Sequence, residues 1–352
     1  MEFKIGKVRF SKKRTIIIAE AGVNHLGKIN YAEKLIKSAA RAGADIIKFQ
    51  TYKAEKLTTK GAPRFWSWKG ERNKDGTQFD SYSNLDSFNI DDYLKLKKIC
   101  NNYNIEFMST PFDFDSVNIL EKLDVGGYKI ASCDITNFPL LKYIAKTKKP
   151  VLLSTGASDL REVHSAINVL KKNGSNKIVI MQCTLCYPTK PQDANLGVIN
   201  LLRKEFPKNL IGLSDHTLGI KIATGSVLLG VRVIEKHFTF DKSLPDSADH
   251  WLSIDEEELK NLVQDVRLYE SAYGESKKKL LNCEKKAFQY ARRSLVIKND
   301  IEKGEKITLK NIDFKRPGTG ISPIEVSKIL NKIVKKKLKA DSILKYSDLQ
   351  DE

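Results

Sequence analysis

The sequence predicts an α/β chain in which a TIM (β/α)8 barrel is followed by a small β-rich domain. Three observations support this fold class: short apolar runs alternate with helical patterns, most of the runs end in polar residues, and the pattern changes after about residue 280. We assign 1–280 to a catalytic barrel, 281–290 to a linker and 291–352 to the second domain. No Gly-x-Gly-x-x-Gly turn follows the first run, so a doubly wound nucleotide-binding sheet has no support.

Eight apolar runs have the character of β-strands. They are 15–19, 44–47, 105–108, 127–130, 150–153, 177–181, 209–213 and 231–234. Eight segments have apolar residues at helical spacing: 31–42, 91–103, 116–123, 139–146, 159–171, 195–206, 220–229 and 255–273. We expect Gly43 to end the first helix, and Asp159 with Glu162 to cap another. The number of repeats and the length of the region match a TIM barrel.

Polar side chains follow nearly every run, at the end where a barrel places its active site. His216 and His237 each stand just past an apolar run, so on neighbouring strands two imidazoles would converge at one mouth. A single histidine at a strand end is more often structural, but the repetition of polar ends favours an active site. Two imidazoles with oxygen ligands and no thiolate suit a divalent metal such as manganese. The same strand ends carry Glu20, Lys48, Thr110, Lys129, Ser132, Asp134, Ser154, Tyr187 and Ser214.

A segment at 54–88 interrupts the alternation after the second strand. It has no clear period, and it contains Trp66, Trp68, Phe79, Tyr82 and Phe88. Two interpretations stay open: a lid or subunit interface on the catalytic face, or a surface excursion whose aromatic residues pack on the barrel.

Composition excludes several classes of protein. The net charge is +18, but the basic runs lack interleaved aromatic residues, so we expect a surface that attracts anionic substrates and no nucleic-acid partner. The longest uncharged apolar stretch, 222–231, is too short to span a membrane, and the N-terminus lacks a signal-peptide pattern. Five cysteines fit a reducing compartment, so we expect a cytoplasmic protein. Cys183-x-x-Cys186 lacks the second pair that would favour a zinc site.

The last part of the chain predicts short strands and no long helix. We expect a strand at 292–298 and a turn with a strand at 301–309, followed by a loop rich in glycine and proline. Arg316 begins that loop, which suits it for contact with something outside its own domain.

An ordered set of short motifs resembles the sialic acid synthase family over nearly the whole chain. The motifs are Glu20-Ala-Gly-Val-Asn-His25, Lys48-Phe-Gln50, Ser109-Thr-Pro111, Lys129-Ile-Ala-Ser132, Ser154-Thr-Gly156, Cys183-Thr184 with Tyr187-Pro188, Ser214-Asp-His216, Glu235-Lys-His237 and Arg316-Pro-Gly-Thr-Gly320. The C-terminal domain resembles the antifreeze-like SAF domain of these synthases, a β-clip fold.

The resemblance implies condensation of phosphoenolpyruvate with an open-chain N-acyl hexosamine to a nine-carbon nonulosonic (sialic) acid and phosphate. N-acetylmannosamine is the first expectation for the acceptor, and the 2,4-diacetamido precursors of legionaminic and pseudaminic acids are alternatives. The implied metal, Mn²⁺ with Mg²⁺ or Co²⁺ as alternatives, would bind His216 and His237. The implied catalytic residues are Glu20, Lys129 and Asp134. Phosphoenolpyruvate is expected on Lys48, Thr110, Lys129, Ser132, Ser154 and Ser214, and the sugar on Glu20, Tyr187, Asp249 and Arg316.

The resemblance also implies an assembly, and the sequence departs from the family pattern at three positions. It implies a domain-swapped homodimer, in which Arg316 contacts the sugar bound to a second subunit. Asp134 stands where Glu is common in the family, and Leu185 where a polar residue usually follows the Cys-Thr pair. Asp246 rivals Asp249 as the residue that contacts the sugar.

Three other functions stay open. A Schiff-base aldolase could use Lys48 or Lys129, but it would leave the histidine pair idle. A seven- or eight-carbon keto-acid phosphate synthase would leave the C-terminal domain unexplained. A carbohydrate- or ice-binding protein without catalysis is the alternative from another class.

Overall fold

The computed structural model describes residues 2–66, 76–86, 88–244 and 249–350. The chain divides into two compact units, Met1–Gly274 and Glu275–Glu352. The segment 281–290, which we expected to be a linker, holds a 3₁₀ turn at Asn282–Glu284 and a short helix at Lys285–Tyr290.

The first unit begins with an antiparallel hairpin of β1 (Phe3–Ile5) and β2 (Val8–Phe10). Eight parallel strands follow within the described residues: β3 (Ile16–Gly22), β4 (Ile46–Thr51), β5 (Glu106–Pro111), β6 (Tyr128–Ile130), β7 (Val151–Ser154), β8 (Ile178–Cys183), β9 (Leu210–Asp215) and β10 (Val233–His237). Their order is β5-β4-β3-β10-β9-β8-β7-β6. Because β10 pairs with both β3 and β9, the sheet curls into a nearly closed barrel, and the predicted TIM fold is confirmed.

Helices pack around the barrel, and eight of the described ones lie at the predicted places; two short ones lie within 54–88, where no helix was predicted. They are α1 (Ile29–Ala42), α2 (Ala54–Leu57), α3 (Gln78–Ser83), α4 (Ile90–Asn102), α5 (Phe114–Lys122), α6 (Phe138–Lys146), α7 (Leu160–Lys172), α8 (Gly197–Glu205), α9 (Lys221–Ser226) and α10 (Glu256–Tyr273). Gly43 ends α1 in the left-handed region at φ 90°, and Asp159 forms a capping box with Glu162, as predicted. Among the described helices, none combines the length and apolar character needed to cross a membrane.

The inside of the barrel is apolar at its N-terminal end. Side chains of alternate strand residues, among them Ile16, Ile18 and Val233, pack there against the hairpin, whose Phe3 and Phe10 rings stack at 5.0 Å. One or two steps further along the same inward-facing rows stand Glu20 on β3, and Glu235 and His237 on β10. The fold therefore fills one end of the barrel with hydrocarbon and leaves the other end to polar side chains.

The barrel strands extend beyond the apolar runs that predicted them. β4 ends at Thr51, whereas we expected Ile47, and β10 ends at His237, whereas we expected Ile234. These predicted ends were wrong because polar residues at the mouth still pair through their main chain: Lys48 is in register with Met108, and Gln50 with Thr110.

The second unit is built from short strands. β11 (Ser294–Ile297) pairs with β12 (Ile312–Lys315), and β13 (Ile333–Val334) with β14 (Leu349–Gln350); α11 (Lys285–Tyr290) and α12 (Val326–Ile329) are its helices among the described residues. The prediction of a strand within 301–309 was wrong. That segment makes isolated bridges at Ile301 and Lys306, because Gly304 turns the chain between them at φ 89°.

Candidate active site

A cavity of about 760 Å³ opens at the carboxyl ends of the barrel strands. The barrel residues that we singled out for binding or catalysis all line it: Glu20, Lys48, Thr110, Lys129, Ser132, Asp134, Ser154, Tyr187, Ser214, His216, His237 and Asp249. Arg316 belongs to the second unit, where it is exposed in the loop after β12. Asp246 lies outside the described residues.

Two lysines and two glutamates form the floor of this cavity. Lys48 Nζ lies 2.7 Å from Glu20 Oε2 and 3.7 Å from Glu235 Oε2. Lys129 Nζ lies 3.5 Å from Glu235 Oε1, so Glu235 bridges the two lysines. All four residues are buried. Both cations are therefore already matched by carboxylates before any ligand binds.

The parallel register brings these four side chains together. Glu20 on β3 is the register partner of Lys48 on β4, and Glu235 on β10 is that of Ser214 on β9. Ser214 Oγ donates to Glu235 Oε1 at 2.9 Å. Lys48 Nζ donates to Thr110 Oγ1 at 2.9 Å, which orients the ammonium group.

The pKa values of the two glutamates are shifted in opposite directions because their surroundings differ. Burial acts to raise the pKa of Glu235, but Lys129 and Lys48 together outweigh it and hold this pKa at about 2. Burial raises the pKa of Glu20, and the attraction of Lys48 only partly offsets this effect. The pKa of Lys48 is raised, since its carboxylate partners outweigh the cost of burying it. Glu235 is the ionised partner and Glu20 the one that takes up a proton more readily.

Hydroxyl groups around the floor differ in what they bind. Ser132 Oγ accepts a hydrogen bond from Gly156 N at 2.9 Å. A Cβ on Gly156 would lie 2.9 Å from that oxygen and 3.0 Å from Leu185 N, so this wall has room only for glycine. Ser154 Oγ is buried and has no hydrogen-bond partner among the described residues, which leaves it available to a ligand.

The predicted histidine pair lies at one side of the cavity. The ring centroids of His216 and His237 are 5.2 Å apart, and Tyr187 packs on His216 at 4.2 Å. His216 Nδ1 lies 2.9 Å from the main-chain oxygen of Thr184, so this nitrogen carries a proton and Nε2 carries the lone pair. His237 Nδ1 lies 3.3 Å from Asp249 Oδ2.

These contacts fit a metal held by two imidazoles. Metal-binding histidines commonly donate their other ring nitrogen to a carbonyl or carboxylate, as Thr184 and Asp249 allow here. Among the described residues, no group of three His, Cys, Asp or Glu side chains lies together so that it could hold a metal ion, so the two imidazoles are the protein ligands that would be available here. Cys183 Sγ lies 3.9 Å from His216 Nδ1, and this pairing raises the pKa of His216 although burial opposes it. Protons therefore compete with a cation for this imidazole.

Asp134 lies on a 3₁₀ turn, Ser132–Asp134, that directly follows β6. Its Oδ1 accepts from Asn137 Nδ2 at 3.1 Å, and burial raises its pKa. A carboxyl group with a raised pKa in a cavity is a candidate for proton transfer.

The described part of 54–88 forms one wall of the cavity. Trp66 packs on Tyr82 with ring centroids 5.7 Å apart, and Tyr82 packs edge-on against Tyr52 at 5.4 Å. Both Trp66 and Tyr82 line the cavity, as do Leu185 and Trp251. Trp68 lies outside the described residues.

The local charge of the cavity differs from that of the whole chain. Among the described residues that line it, four are cationic, namely Lys28, Lys48, Arg64 and Lys129, and five are acidic, namely Glu20, Asp80, Asp134, Glu235 and Asp249. The chain as a whole carries +18. The excess of positive charge is therefore not concentrated on the cavity wall.

Glu235 and Gln50 stand within the motifs quoted from the sequence, but neither of them was assigned a role in the site. Glu235 joins both floor lysines, and Gln50 Nε2 donates to Glu20 Oε1 at 3.1 Å. A signal was present for each, because Glu235 stands two residues before His237, and Gln50 two after Lys48, on the same side of a strand.

Comparison with known proteins places the chain in a family. Residues 35–278 match the NeuB family and residues 292–350 match the SAF domain. N,N'-diacetyllegionaminic acid synthase of Legionella pneumophila is 41% identical over 348 residues, 98% of this chain and 97% of that protein. Pseudaminic acid synthase of Campylobacter jejuni is 36% identical over 338 residues, 96% of this chain and 97% of that protein.

A solved structure supports the same assignment. The crystal structure of N-acetylneuraminic acid synthetase from Leptospira borgpetersenii, in complex with citrate, has a TM-score of 0.72 and 34% identity, covering 81% of this chain and 94% of that one. The resemblance to sialic acid synthases with a SAF domain is thus confirmed. The chain belongs to the NeuB family of phosphoenolpyruvate-utilising nonulosonic acid synthases, and it is an enzyme that carries a SAF domain after its barrel.

Proposed function

We propose that this enzyme condenses phosphoenolpyruvate with an open-chain 2,4-diacetamido hexose, releasing phosphate and a nine-carbon nonulosonic acid. The observation that carries the proposal is the floor of the cavity, where Lys48 and Lys129 flank the ionised Glu235 beside the unpartnered hydroxyl of Ser154. Few small substrates need two cations and several hydroxyl donors at once, and phosphoenolpyruvate, with a phosphate and a carboxylate, is one of them.

Phosphoenolpyruvate is assigned to the floor. Lys48 and Lys129 face its two anionic groups, and the hydroxyls of Thr110, Ser132 and Ser154 supply further donors. Fixed donors of this kind cost little reorganisation when charge moves from the enol to the phosphate. Ser214, the fourth predicted hydroxyl, lines the same cavity but gives its one proton to Glu235, so it would donate to the ligand only after releasing Glu235.

The sugar is assigned to the side that holds the histidines. His216 and His237 would hold a divalent cation, of which Mn²⁺ is the first choice, and such a cation polarises an aldehyde oxygen. Tyr187, Asp249 and Glu20 line the same side and suit the hydroxyl and acetamido groups of the acceptor.

The proposed reaction forms one carbon–carbon bond, adds one water and releases phosphate. C3 of phosphoenolpyruvate attacks the aldehyde carbon, and the aldehyde oxygen takes up a proton, for which Glu20 with its raised pKa is the candidate donor. Water adds to C2 and gives its proton to Asp134, which Asn137 orients. The bond between C2 and the phosphate oxygen then breaks, the new C2 hydroxyl becomes the 2-keto oxygen, and its proton leaves with the phosphate.

Two observations support the proposed acceptor: the apolar residues of the cavity wall and the names of the relatives. N-acetylmannosamine was the expectation from motifs alone, but the relatives named above that match nearly the whole chain are legionaminic and pseudaminic acid synthases. Leu185 replaces a polar residue, and Trp66, Tyr82 and Trp251 add apolar surface to the cavity. This surface suits the second acetamido methyl and the 6-methyl group of a 2,4-diacetamido trideoxy sugar, which N-acetylmannosamine lacks.

A phosphate-release assay tests the function. Phosphoenolpyruvate and Mn²⁺ are supplied with one of three acceptors: N-acetylmannosamine, the 2,4-diacetamido precursor of legionaminic acid, or that of pseudaminic acid. The product is identified from its mass by mass spectrometry. We expect the fastest release with the legionaminic acid precursor, and loss of release after chelation. Faster release with N-acetylmannosamine would overturn the acceptor, and release only with an aldose phosphate would overturn the reaction. Borohydride trapping of substrate on a lysine would favour a Schiff-base aldolase.

A further inference from the structure

Lys236, Asp215 and Thr217 form a buried polar cluster directly behind the two histidines. Side chains alternate across a strand, so Glu235 and His237 of β10 face the cavity while Lys236 between them faces away from it. Asp215 of β9 is the register partner of Lys236. Each histidine therefore has a member of this cluster as its immediate neighbour in the chain.

The contacts within the cluster are short and directional. Lys236 Nζ lies 2.8 Å from Asp215 Oδ2 and also donates to the main-chain oxygen of Thr217. Asp215 accepts from Thr217 N at 3.0 Å and from Thr217 Oγ1 at 2.9 Å. The side chains of Lys236 and Asp215 are each 2% exposed, so water does not compete for these bonds.

The cluster fixes the chain on both sides of His216. Asp215 and Thr217, which flank His216, are both tied to Lys236, which precedes His237. The main-chain oxygen of His216 also accepts from Thr189 N at 2.9 Å. These contacts tie the end of β9 to β10 beside the two imidazole rings, whose centroids are 5.2 Å apart.

Stability alone does not account for a buried ion pair at this place. Taking two charges out of water carries a large desolvation cost, and apolar residues of the same volume are often at least as stabilising. An ammonium group adds several donors that fix more than one atom at once, which apolar packing does not. We propose that Lys236, Asp215 and Thr217 are positioning residues that hold the imidazoles of His216 and His237 at the separation used by the site; where it concerns the metal, this rests on the proposed function.

Four variants test the proposal. Thr217→Val removes the hydroxyl and Thr217→Ser keeps it, while the double variant Asp215→Asn/Lys236→Met removes both charges and leaves no buried charge alone. Thr224→Val is the matched control, because Thr224 is buried on α9 and its hydroxyl bonds main-chain oxygens of the preceding turn. The readouts are the Mn²⁺ dissociation constant, the imidazole NMR signals of the metal-free protein, and the melting temperature. Five histidines in the chain keep the imidazole spectrum assignable.

We expect Thr217→Val and the double variant to raise the Mn²⁺ dissociation constant by about ten- to hundredfold and to shift the His216 and His237 signals. Thr217→Ser and Thr224→Val should change neither. The proposal would be overturned if Thr217→Val and the double variant left the imidazole signals and the Mn²⁺ affinity unchanged and lowered the melting temperature only as much as Thr224→Val does. If the wild-type protein binds no Mn²⁺, the metal part of the proposed function fails, and the imidazole signals decide alone: shifted signals support positioning and unchanged signals overturn it.

Discussion

Replacing Lys129 with methionine should weaken substrate binding at a smaller cost in folding stability than replacing Lys48. Lys129 has a long ion pair with Glu235, at 3.5 Å, and donates to its neighbour's main-chain oxygen at 3.3 Å. Lys48 lies 2.7 Å from Glu20 Oε2 and 2.9 Å from Thr110 Oγ1, and 3.7 Å from Glu235. Methionine has nearly the same volume as lysine, so either change chiefly removes a charge.

The expected magnitudes follow from these contacts. Losing one charge-assisted contact to phosphoenolpyruvate costs about 1.5 to 3 kcal/mol, or roughly ten- to hundredfold in affinity, for either variant. Lys48→Met also leaves Glu20 and Glu235 buried without their shared cation, and breaking a buried pair costs about 3 to 5 kcal/mol of folding free energy. That figure is an upper limit, because Glu20 relieves part of the cost by taking up a proton.

Calorimetric titration with phosphoenolpyruvate and urea unfolding measure the two quantities separately. Lys37→Met is the control, because Lys37 is partly exposed on α1 and pairs with Glu33 one turn away, and it should change neither. We expect weak binding for both variants, with a smaller loss of unfolding free energy for Lys129→Met, which leaves Glu235 with Lys48 and Ser214, than for Lys48→Met. An unchanged isotherm for Lys129→Met would refute the assignment of the floor to phosphoenolpyruvate.

Three further predictions concern the wall, a buried histidine and the assembly. Gly156→Ala places a Cβ 2.9 Å from Ser132 Oγ and should destabilise the fold by about 1 to 3 kcal/mol and weaken phosphoenolpyruvate binding; wild-type binding by calorimetry would contradict it. Burial lowers the pKa of His25 to about 3, so its contribution to stability is present above pH 6.5 and lost as pH falls toward 3. The unfolding free energy should therefore be about 2 kcal/mol lower at pH 5 than at pH 8. His25→Asn can still accept the hydrogen bond from Gly27 N, and it should remove that difference. An equal pH difference in the variant would show that His25 is not its cause. If Arg316 acts on the sugar bound to a second subunit, co-refolding Arg316→Ala with His216→Ala should restore activity, and inactive mixed dimers would reject the swap.

The fold was predictable because a barrel repeats one simple pattern. The barrel strands are apolar at one end and polar at the other, the helices between them have a helical period, and Gly43 and Asp159 mark the ends of two of these helices. The strand expected at 301–309 failed because the second unit uses isolated bridges around Gly304 in place of a ladder, and short apolar runs do not distinguish the two.

The members of the site were predictable, but their pairing was not. The positions of Lys48 and Lys129 at the mouth of the barrel follow from the sequence pattern of each strand alone. Learning that both share Glu235 required the register of strands far apart in the chain, which local pattern does not contain. The contribution of 54–88 to the cavity wall was open for the same reason, since a segment without a period gives no direction to its aromatic residues.

The balance of charge in the cavity has a thermodynamic consequence for substrate capture. The wall carries more acidic than cationic groups, so a ligand with up to three negative charges cannot bind on the strength of the two floor lysines alone. If phosphoenolpyruvate binds here as proposed, uptake of a divalent cation, of protons, or of both would compensate its charge, and Glu20, whose pKa is raised by burial, is the candidate to accept a proton. On the proposed function, substrate binding is therefore linked to uptake of the metal and of a proton at Glu20, whereas a proton on His216 opposes metal binding. The heat of phosphoenolpyruvate binding should accordingly vary with the ionisation enthalpy of the buffer, and the enzyme would hold its anionic substrate firmly only where the cation is also at hand.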